Sequence, residues 1–238
     1  MTLKQHNQSQ SRVSRQCEDP GVGDDLTGRA ARLWEELAGC RFPGPGAVRV
    51  VENTESRICP PGWAGIIRLG GAVLATAPTA AQAELLRRTT DPAALPVLDQ
   101  LGPAQLAYAA DLPAAVAPVE WAGTAELSEL MSAATPDEVD ESGVAGLSRA
   151  AVVRRAGRVV AAAGWAPWPA RTAHLCVLTG AADRGRGLAT RTAAAATADA
   201  LAAGMLPQWR ARVEASQRVA AKLGYRVLGT QLSVHLKA

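Results

Sequence analysis

The sequence RGRGLA at residues 184–189 decides how the fold of this chain is interpreted. It follows a short apolar run around Val177, typical of a strand, and opens an Ala-rich run, residues 188–203, typical of a helix that Gly204 ends. The first amides of such a helix lack intrahelical partners and lie at the positive end of its dipole. Glycines let a phosphate approach the main chain, and arginines add positive charge. The pattern predicts a phosphate-binding turn whose anion is a pyrophosphate.

Two better-known phosphate motifs are excluded at this turn. The Lys-Ser/Thr pair of a P-loop is missing, and so is the G-x-G-x-x-G spacing of a dinucleotide fingerprint with its acidic residue about 20 positions on. A Gly/Arg turn before a helix can also be purely structural, so the turn by itself leaves both interpretations open.

The elements around the turn indicate a mixed sheet. A helix is predicted at residues 120–132, followed by a hairpin that turns at residues 156–158. Further strands and helices then alternate in the order β-β-β-α-β-α-β, which implies helices on both faces of one sheet. The predicted segments are residues 150–155, 159–163, 173–179, 188–203, 209–213, 216–223 and 227–236.

The first half of the chain contains no chemical motif. Residues 1–26 are polar and predict a disordered tail. Residues 27–112 predict a smaller α/β region with a hairpin at residues 64–76, and the prolines and alanines of residues 111–118 predict a linker. A second domain is therefore expected at residues 115–238.

Two motifs in this second domain resemble those of the GNAT acetyltransferase superfamily. Arg184-x-x-Gly187-x-Ala189 is similar to the family's R/Q-x-x-G-x-G/A signature, and EASQRVAAKLGY at residues 214–225 is similar to its later helix. The resemblance implies an α/β fold with a GNAT-like, mostly antiparallel mixed sheet flanked by helices. The hairpin of the first half is compatible with a degenerate copy of the same fold.

The resemblance also implies acetyl-coenzyme A (acetyl-CoA) as the cofactor and assigns residues to it. The strand before the turn would bind the pantetheine arm, the turn and helix start would bind the pyrophosphate, and residues of the later helix would bind the pantetheine or adenosine phosphate. These residues are Val177, Leu178 and Thr179; Arg184, Gly185, Arg186, Gly187, Leu188, Ala189 and Thr190; and Ser216 and Lys222.

The chain departs from the family at two positions. Val213 stands where relatives often have Asn, and Ala220 stands where they often have the Tyr that protonates the leaving thiolate. A thiol with a pKa of about 8.5 can depart without a strong proton donor, so the second departure weakens a catalytic interpretation without removing it.

Two residues are candidates for the general base that an amine nucleophile requires. His174 lies on the strand where relatives place a carboxylate, although a lone strand histidine is often structural. Glu141 precedes the hairpin on the expected substrate side, although it would also fit a solvated loop. Trp165 and Trp168, expected in a loop after a strand, would wall an acceptor pocket or simply pack.

The composition of the chain restricts its possible partners, metal sites and location. A net charge of +3 without a dense basic cluster argues against nucleic acid as a partner. Four cysteines without a C-x-x-C pair predict no metal site and a reducing cytoplasm, and the absence of a long apolar run predicts no membrane segment.

The sequence thus predicts an N-acetyltransferase that acts on a small-molecule or protein amine. The alternative is a catalytically weak CoA-binding or protein-interaction module on the same scaffold. The acceptor and the oligomeric state, including a homodimer, stay open.

Overall fold

The computed structural model of the chain describes residues 23–237, so most of the predicted disordered tail lies outside the described residues. The first helix begins at Gly23, earlier than expected. The ten strands are β1 Val48–Glu52, β2 Ala64–Leu69, β3 Ala72–Ala77, β4 Val97–Tyr108, β5 Glu120–Gly123, β6 Arg149–Arg155, β7 Arg158–Trp168, β8 Thr172–Thr179, β9 Leu206–Ala211 and β10 Arg226–Leu236. The α-helices are α1 Gly23–Ala38, α2 Ala80–Arg88, α3 Ser128–Ser132, α4 Pro136–Ser142, α5 Leu188–Ala202 and α6 Glu214–Lys222.

All ten strands form one sheet in the order β1-β3-β2-β10-β4-β9-β8-β7-β6-β5. Only the β1–β3 and β8–β9 pairs are parallel. The predicted α/β fold with a mostly antiparallel mixed sheet and flanking helices is therefore confirmed.

Strand β4, from the first half of the chain, lies in the middle of this sheet. It pairs with β9 through residues 105–108 and with β10 along nearly its whole length, antiparallel in both cases. The sheet is therefore continuous across the predicted boundary at residues 112–115, and each half of the chain completes the other's hydrogen bonding.

Alternating burial along the strands assigns the helices to two faces. Tyr108 packs with α1, whereas its neighbour Ala107 packs with α5 and α6. Cys176 packs with the segment around α3, and its neighbour Leu175 packs with α5. One face of the sheet, the α1 face, therefore carries α1, α3 and α4, and the other, the α5 face, carries α2, α5 and α6. No helix within residues 23–237 has both the length and the apolar character of a membrane span.

Local predictions were wrong at three places. Residues 120–132 are not one helix, because residues 120–123 pair with β6 as strand β5 and only Ser128–Ser132 is α-helical. Trp165 and Trp168 lie within β7 rather than in a loop, because β7 continues its pairing with β8 to Trp168. Glu141 lies in α4, a helix that Thr135 caps, rather than in a loop.

Candidate functional site

Strands β8 and β9 separate after a short stretch of pairing. Residues 172–174 pair in parallel with residues 206–208, and the pairing stops there although β8 continues to Thr179. Beyond His174, β8 stays with β7 while β9 stays with β4. A gap therefore opens in the sheet between residues 175–179 and residues 209–211.

The main chain of β8 offers hydrogen-bonding groups to this gap. Gly180 donates its amide to the carbonyl of Val160 at 3.0 Å, which fixes the alternation of the antiparallel β7–β8 ladder. By this alternation the peptide groups of Val177 and Thr179 face away from β7 and toward the gap. Leu178 instead pairs with β7 and buries its side chain on the α1 face. Its peptide group therefore faces β7 rather than the gap, unlike those of Val177 and Thr179 on either side of it.

The turn at the end of the gap presents bare main chain. Gly185 and Gly187 have φ values of 76° and 74°, the left-handed region that glycine adopts without strain. Gly187 is the N-cap of α5 and no side chain caps the helix, so the amides of residues 188–190 lack a side-chain acceptor. A Cβ added at either glycine would meet no atom within 4 Å. The residues present therefore fit an anion bound at the helix start.

The two arginines of the turn already have partners. Arg184 binds the carboxylate of Glu138 and the carbonyl of Thr179, and Arg186 lies 3.6 Å from the carboxylate of Asp183. These contacts are exposed, and such pairs contribute at most about 1 kcal/mol, so they can rearrange. The amides of α5, rather than the guanidinium groups, are therefore the fixed part of the cradle.

Ser216 and Lys222, the two residues of α6 predicted to contact CoA, differ in how their side chains are held. The hydroxyl of Ser216 accepts a hydrogen bond from the Trp209 indole at 2.9 Å and keeps its own proton free to donate. Lys222 is exposed in the last turn of the helix.

Neither tyrosine of the chain takes the place of the missing acid. Ala220 is buried against Leu223 and Tyr225, so its position lies in the core. The hydroxyl of Tyr225 is hydrogen-bonded to Thr197 at 2.8 Å, and that of Tyr108 accepts from Trp34 at 2.9 Å. Burial raises the pKa of both tyrosines. Protonation of a leaving thiolate by a tyrosine is therefore not built into this fold.

His174 lies on the α1 face at the point where β8 and β9 part. Its ring stacks on Trp168 with 4.2 Å between centroids, and its Nδ1 is 2.7 Å from Oε1 of the fully buried Gln208. Burial lowers the pKa of His174 to about 4. The imidazole is therefore neutral at pH 7, able to accept a proton, though as a weak base.

Glu141 lies at a pocket of about 340 Å³ on the same face. Its carboxylate binds the guanidinium of Arg212 through both oxygens. The pocket, named here the arginine pocket, contains Arg57, Glu141, Arg210, Arg212, Gln231 and Ser233 among its lining residues. The loop that contains Arg57 belongs to the first half of the chain, so both halves form this pocket.

Of the two candidate wall residues, only Trp168 is on this side of the sheet. Trp165 packs on the α5 face and donates its indole N–H to Asp199 at 2.9 Å, as in the packing alternative, and it does not reach the arginine pocket on the α1 face. The sheet's alternation decides this, because residues an odd number of positions apart on a strand point to opposite faces.

The polar face of β9 was not predicted from the sequence. Gln208, Arg210 and Arg212 alternate with Trp209 and Ala211, which are buried on the α5 face. This period-two pattern of polar residues was present in the sequence. Whether these polar residues face solvent or a pocket depended on the neighbouring strands, since polar alternation usually marks a solvent-exposed face.

Comparison with known families assigns the segment that contains the gap and the turn. A sequence model of the GNAT acetyltransferase family matches residues 150–230, from β6 into β10. Residues 150–230 are therefore similar to the GNAT acetyltransferase family. No curated protein is significantly similar to the chain.

Solved GNAT structures resemble the chain only distantly. An acetyltransferase of the family from Novosphingobium aromaticivorans is 23% identical, with 58% of this chain and 65% of that chain covered at a TM-score of 0.48. Another from Colwellia psychrerythraea is 16% identical, with 68% and 63% covered at a TM-score of 0.49. The chain thus spans slightly less than two thirds of the length of these two relatives. Since both TM-scores are below 0.5, the similarity to the GNAT family rests on the sequence match over residues 150–230 and on the motifs.

Proposed function

We propose that this protein transfers an acetyl group from acetyl-CoA to an amine. The observation that carries the proposal is the continuity between the gap beside Val177 and Thr179 and the uncapped start of α5 at Gly187. An extended chain ending in a pyrophosphate, which is the shape of the CoA arm, needs a strand-like partner followed by an anion cradle. The GNAT match over residues 150–230 supports the same assignment.

Each part of the site would have a defined task. The peptide groups of Val177 and Thr179 would bind the pantetheine amides, and the amides of residues 188–190 would bind the pyrophosphate. When bound, acetyl-CoA supplies the acyl group as a thioester. His174 or Glu141 would take the proton of the amine, and both lie on the α1 face beside β9.

The alternative function, a CoA-binding module with weak catalysis, is favoured by one observation. Both tyrosines are hydrogen-bonded in the core, and Ala220 offers no proton to a leaving thiolate. Release of free thiol from acetyl-CoA in the presence of amines separates the two functions, because a binding module would bind CoA without releasing thiol faster than the protein-free solution does.

Replacing Gly187 tests CoA binding itself. We expect Gly187→Val to lower the affinity for CoA at least about 100-fold, because its side chain would occupy the open space above the amides and remove about two charge-assisted hydrogen bonds of roughly 1.5 kcal/mol each. Isothermal titration calorimetry measures this affinity.

The matched control is Gly71→Val in the β2–β3 turn. Gly71 has a φ of 79° and equally open surroundings, so its replacement imposes a similar backbone strain in the other half of the sheet, away from the cradle. We expect this variant to lose stability but retain CoA binding. Equal affinities of the wild type and the Gly187 variant would contradict the proposal, as would a wild type that binds no CoA.

A further inference from the structure

The described residues that line the arginine pocket carry a positive charge that they do not balance among themselves. Arg57, Arg210 and Arg212 face a single glutamate, Glu141, which gives an excess of two positive charges. Glu141 binds Arg212 through both oxygens, so that pair is internally neutral. The surplus charge is therefore carried by Arg57 and Arg210.

Arg210 is the unusual member of this set. It lies on β9, directly opposite Leu106 of the central strand β4, and its side chain is partly buried on the α1 face. Its guanidinium contacts two uncharged groups, Oε1 of Gln231 at 3.5 Å and the ring of Trp168 at 5.8 Å. None of the ion pairs among residues 23–237 includes Arg210. Burial lowers the pKa of the Arg210 guanidinium, as expected for a desolvated cation.

A partly buried guanidinium without a carboxylate is a cost to the folded state unless something else supplies an anion. The groups around Arg210 leave space for an anion and do not neutralise the charge of the guanidinium. Gln231 accepts weakly from Arg210 and donates to the carbonyl of Ile58 at 2.7 Å, which fixes the loop beside Arg57 over the pocket. The planar fork of arginine suits an oxyanion that binds through two oxygens.

The pocket also adjoins the proposed site of transfer. Arg210 belongs to β9, the strand that borders the gap on one side. Glu141 lies close enough to Arg210 for the two charges to interact, and Arg210 in turn lies close enough to disfavour a charge on His174. A volume of about 340 Å³ is at the small end of ligand pockets, which suits a small molecule better than a polypeptide segment.

We propose that the amine acceptor carries an anionic group, a carboxylate or a phosphate, which Arg210 binds in the arginine pocket. This inference rests on the proposed function, since it names the substrate class of the same site. The anion fixes one end of the acceptor on β9, and the amine end lies toward the gap. Removing the anionic group from the substrate and removing the guanidinium of Arg210 from the protein would therefore both abolish this contact.

Matched pairs of amines test the inference. The pairs are glycine and glycinamide, β-alanine and β-alaninamide, and phosphoethanolamine and ethanolamine, compared at equal concentrations of unprotonated amine by thiol release from acetyl-CoA. We expect the anionic member of at least one pair to have a kcat/KM at least 10-fold higher, and Arg210→Met to abolish that preference. The first two pairs report a carboxylate acceptor and the third a phosphate acceptor.

The outcomes separate this inference from the proposed function. If the wild type acetylates neutral amines as well as or better than anionic ones in every pair, the inference is wrong and the proposed function stands. If the wild type binds no CoA, or releases no thiol with any amine, the proposed function fails and the inference fails with it. Retained CoA binding by Arg210→Met shows that the fold and the cradle are intact.

Thermal unfolding gives a second readout that does not depend on turnover. We expect ligand-free Arg210→Met to have a Tm equal to or above that of the wild type, because it removes an uncompensated buried charge. The anionic amine preferred in the assay should raise the Tm of the wild type and of the exposed-site control Arg226→Met, but not that of Arg210→Met. An equal rise in all three proteins would overturn the inference.

Discussion

At the scale of single residues, the site depends on polar groups in buried surroundings. His174 is neutral because the sheet and Trp168 desolvate it, and its Nδ1 is fixed by Gln208. Nε2 of Gln208 is buried without a hydrogen-bond partner among the described residues. Buried polar groups of this kind are frequent where a protein keeps a site ready for chemistry rather than for maximum stability.

The lowered pKa of His174 predicts a pH-dependent stability. Its pKa is about 4 in the folded protein and about 6.5 in an unfolded chain, so between these values only the unfolded chain binds the proton. Stability is therefore fully present above about pH 6.5 and falls as the pH drops toward 4, by up to about 3 kcal/mol. We expect His174→Gln to lose this part of the pH dependence of the unfolding free energy, as measured by urea denaturation.

His235 provides the matched control for this measurement. It is exposed on β10 and stacks on Trp63 at 5.2 Å. The variant His235→Gln should keep the wild-type decline in stability between pH 6.5 and 4. Parallel declines in the wild type and His174→Gln would show that His174 is not the group responsible.

At the scale of elements, the start of α6 is a second helix start near the site whose N-cap residue provides no side-chain cap. Val213 is its N-cap, is 60% exposed and makes no side-chain cap, although its carbonyl accepts from the amides of Ser216 and Gln217. This position is where relatives often have Asn, the side chain that caps a helix well. Val213 in place of Asn therefore affects the capping of α6 as well as the chemistry of the candidate site.

Restoring the cap should stabilise the protein. We expect Val213→Asn to raise the free energy of unfolding by about 1 kcal/mol, because the amide oxygen would accept from a free amide of the first turn. Urea denaturation at pH 7 measures the change. The matched control is Val227→Asn, at an exposed strand position of β10, which should be neutral or destabilising. Similar effects of both substitutions would rule out capping as the cause.

At the scale of the whole molecule, the two halves share one sheet. Strand β4 lies between β9 and β10, so the segment that matches the GNAT model depends on a strand that ends at Tyr108, before the matched residues 150–230 begin. The first half also closes the arginine pocket through the loop at Arg57. Its contribution is therefore both to complete the sheet and to shape the candidate acceptor site.

This arrangement predicts that residues 113–238 do not fold alone. Without β4, strands β9 and β10 would both expose unpaired edges, and the buried face of Leu106 and Tyr108 would be lost. We expect the isolated fragment to show no cooperative thermal transition by circular dichroism. Co-expression with residues 1–112 should restore a transition and CoA binding. A fragment that unfolds cooperatively at the Tm of the full chain would contradict the shared-sheet interpretation.

The sequence by itself determined the local features of this protein. It gave the approximate positions of α1, α5 and α6, the hairpins, and the turn at residues 184–187 with its GNAT signature. These features are encoded by neighbouring residues, since helix caps, glycine turns and apolar periodicity act over a few positions. The CoA contacts predicted at Val177, Thr179 and Gly187 were implied by the resemblance to the GNAT superfamily, whose two motifs are themselves local stretches of sequence.

Only the tertiary structure decided which strands meet and which side chains share a face. The position of β4, the strand character of residues 120–123, the opposite faces of Trp165 and Trp168, and the arginine pocket all depend on partners distant in sequence. The physical reason is that sheet pairing and burial satisfy hydrogen bonds and apolar surface over the whole molecule. Arg210 illustrates this, because its alternation on β9 was visible in the sequence and its burial was not.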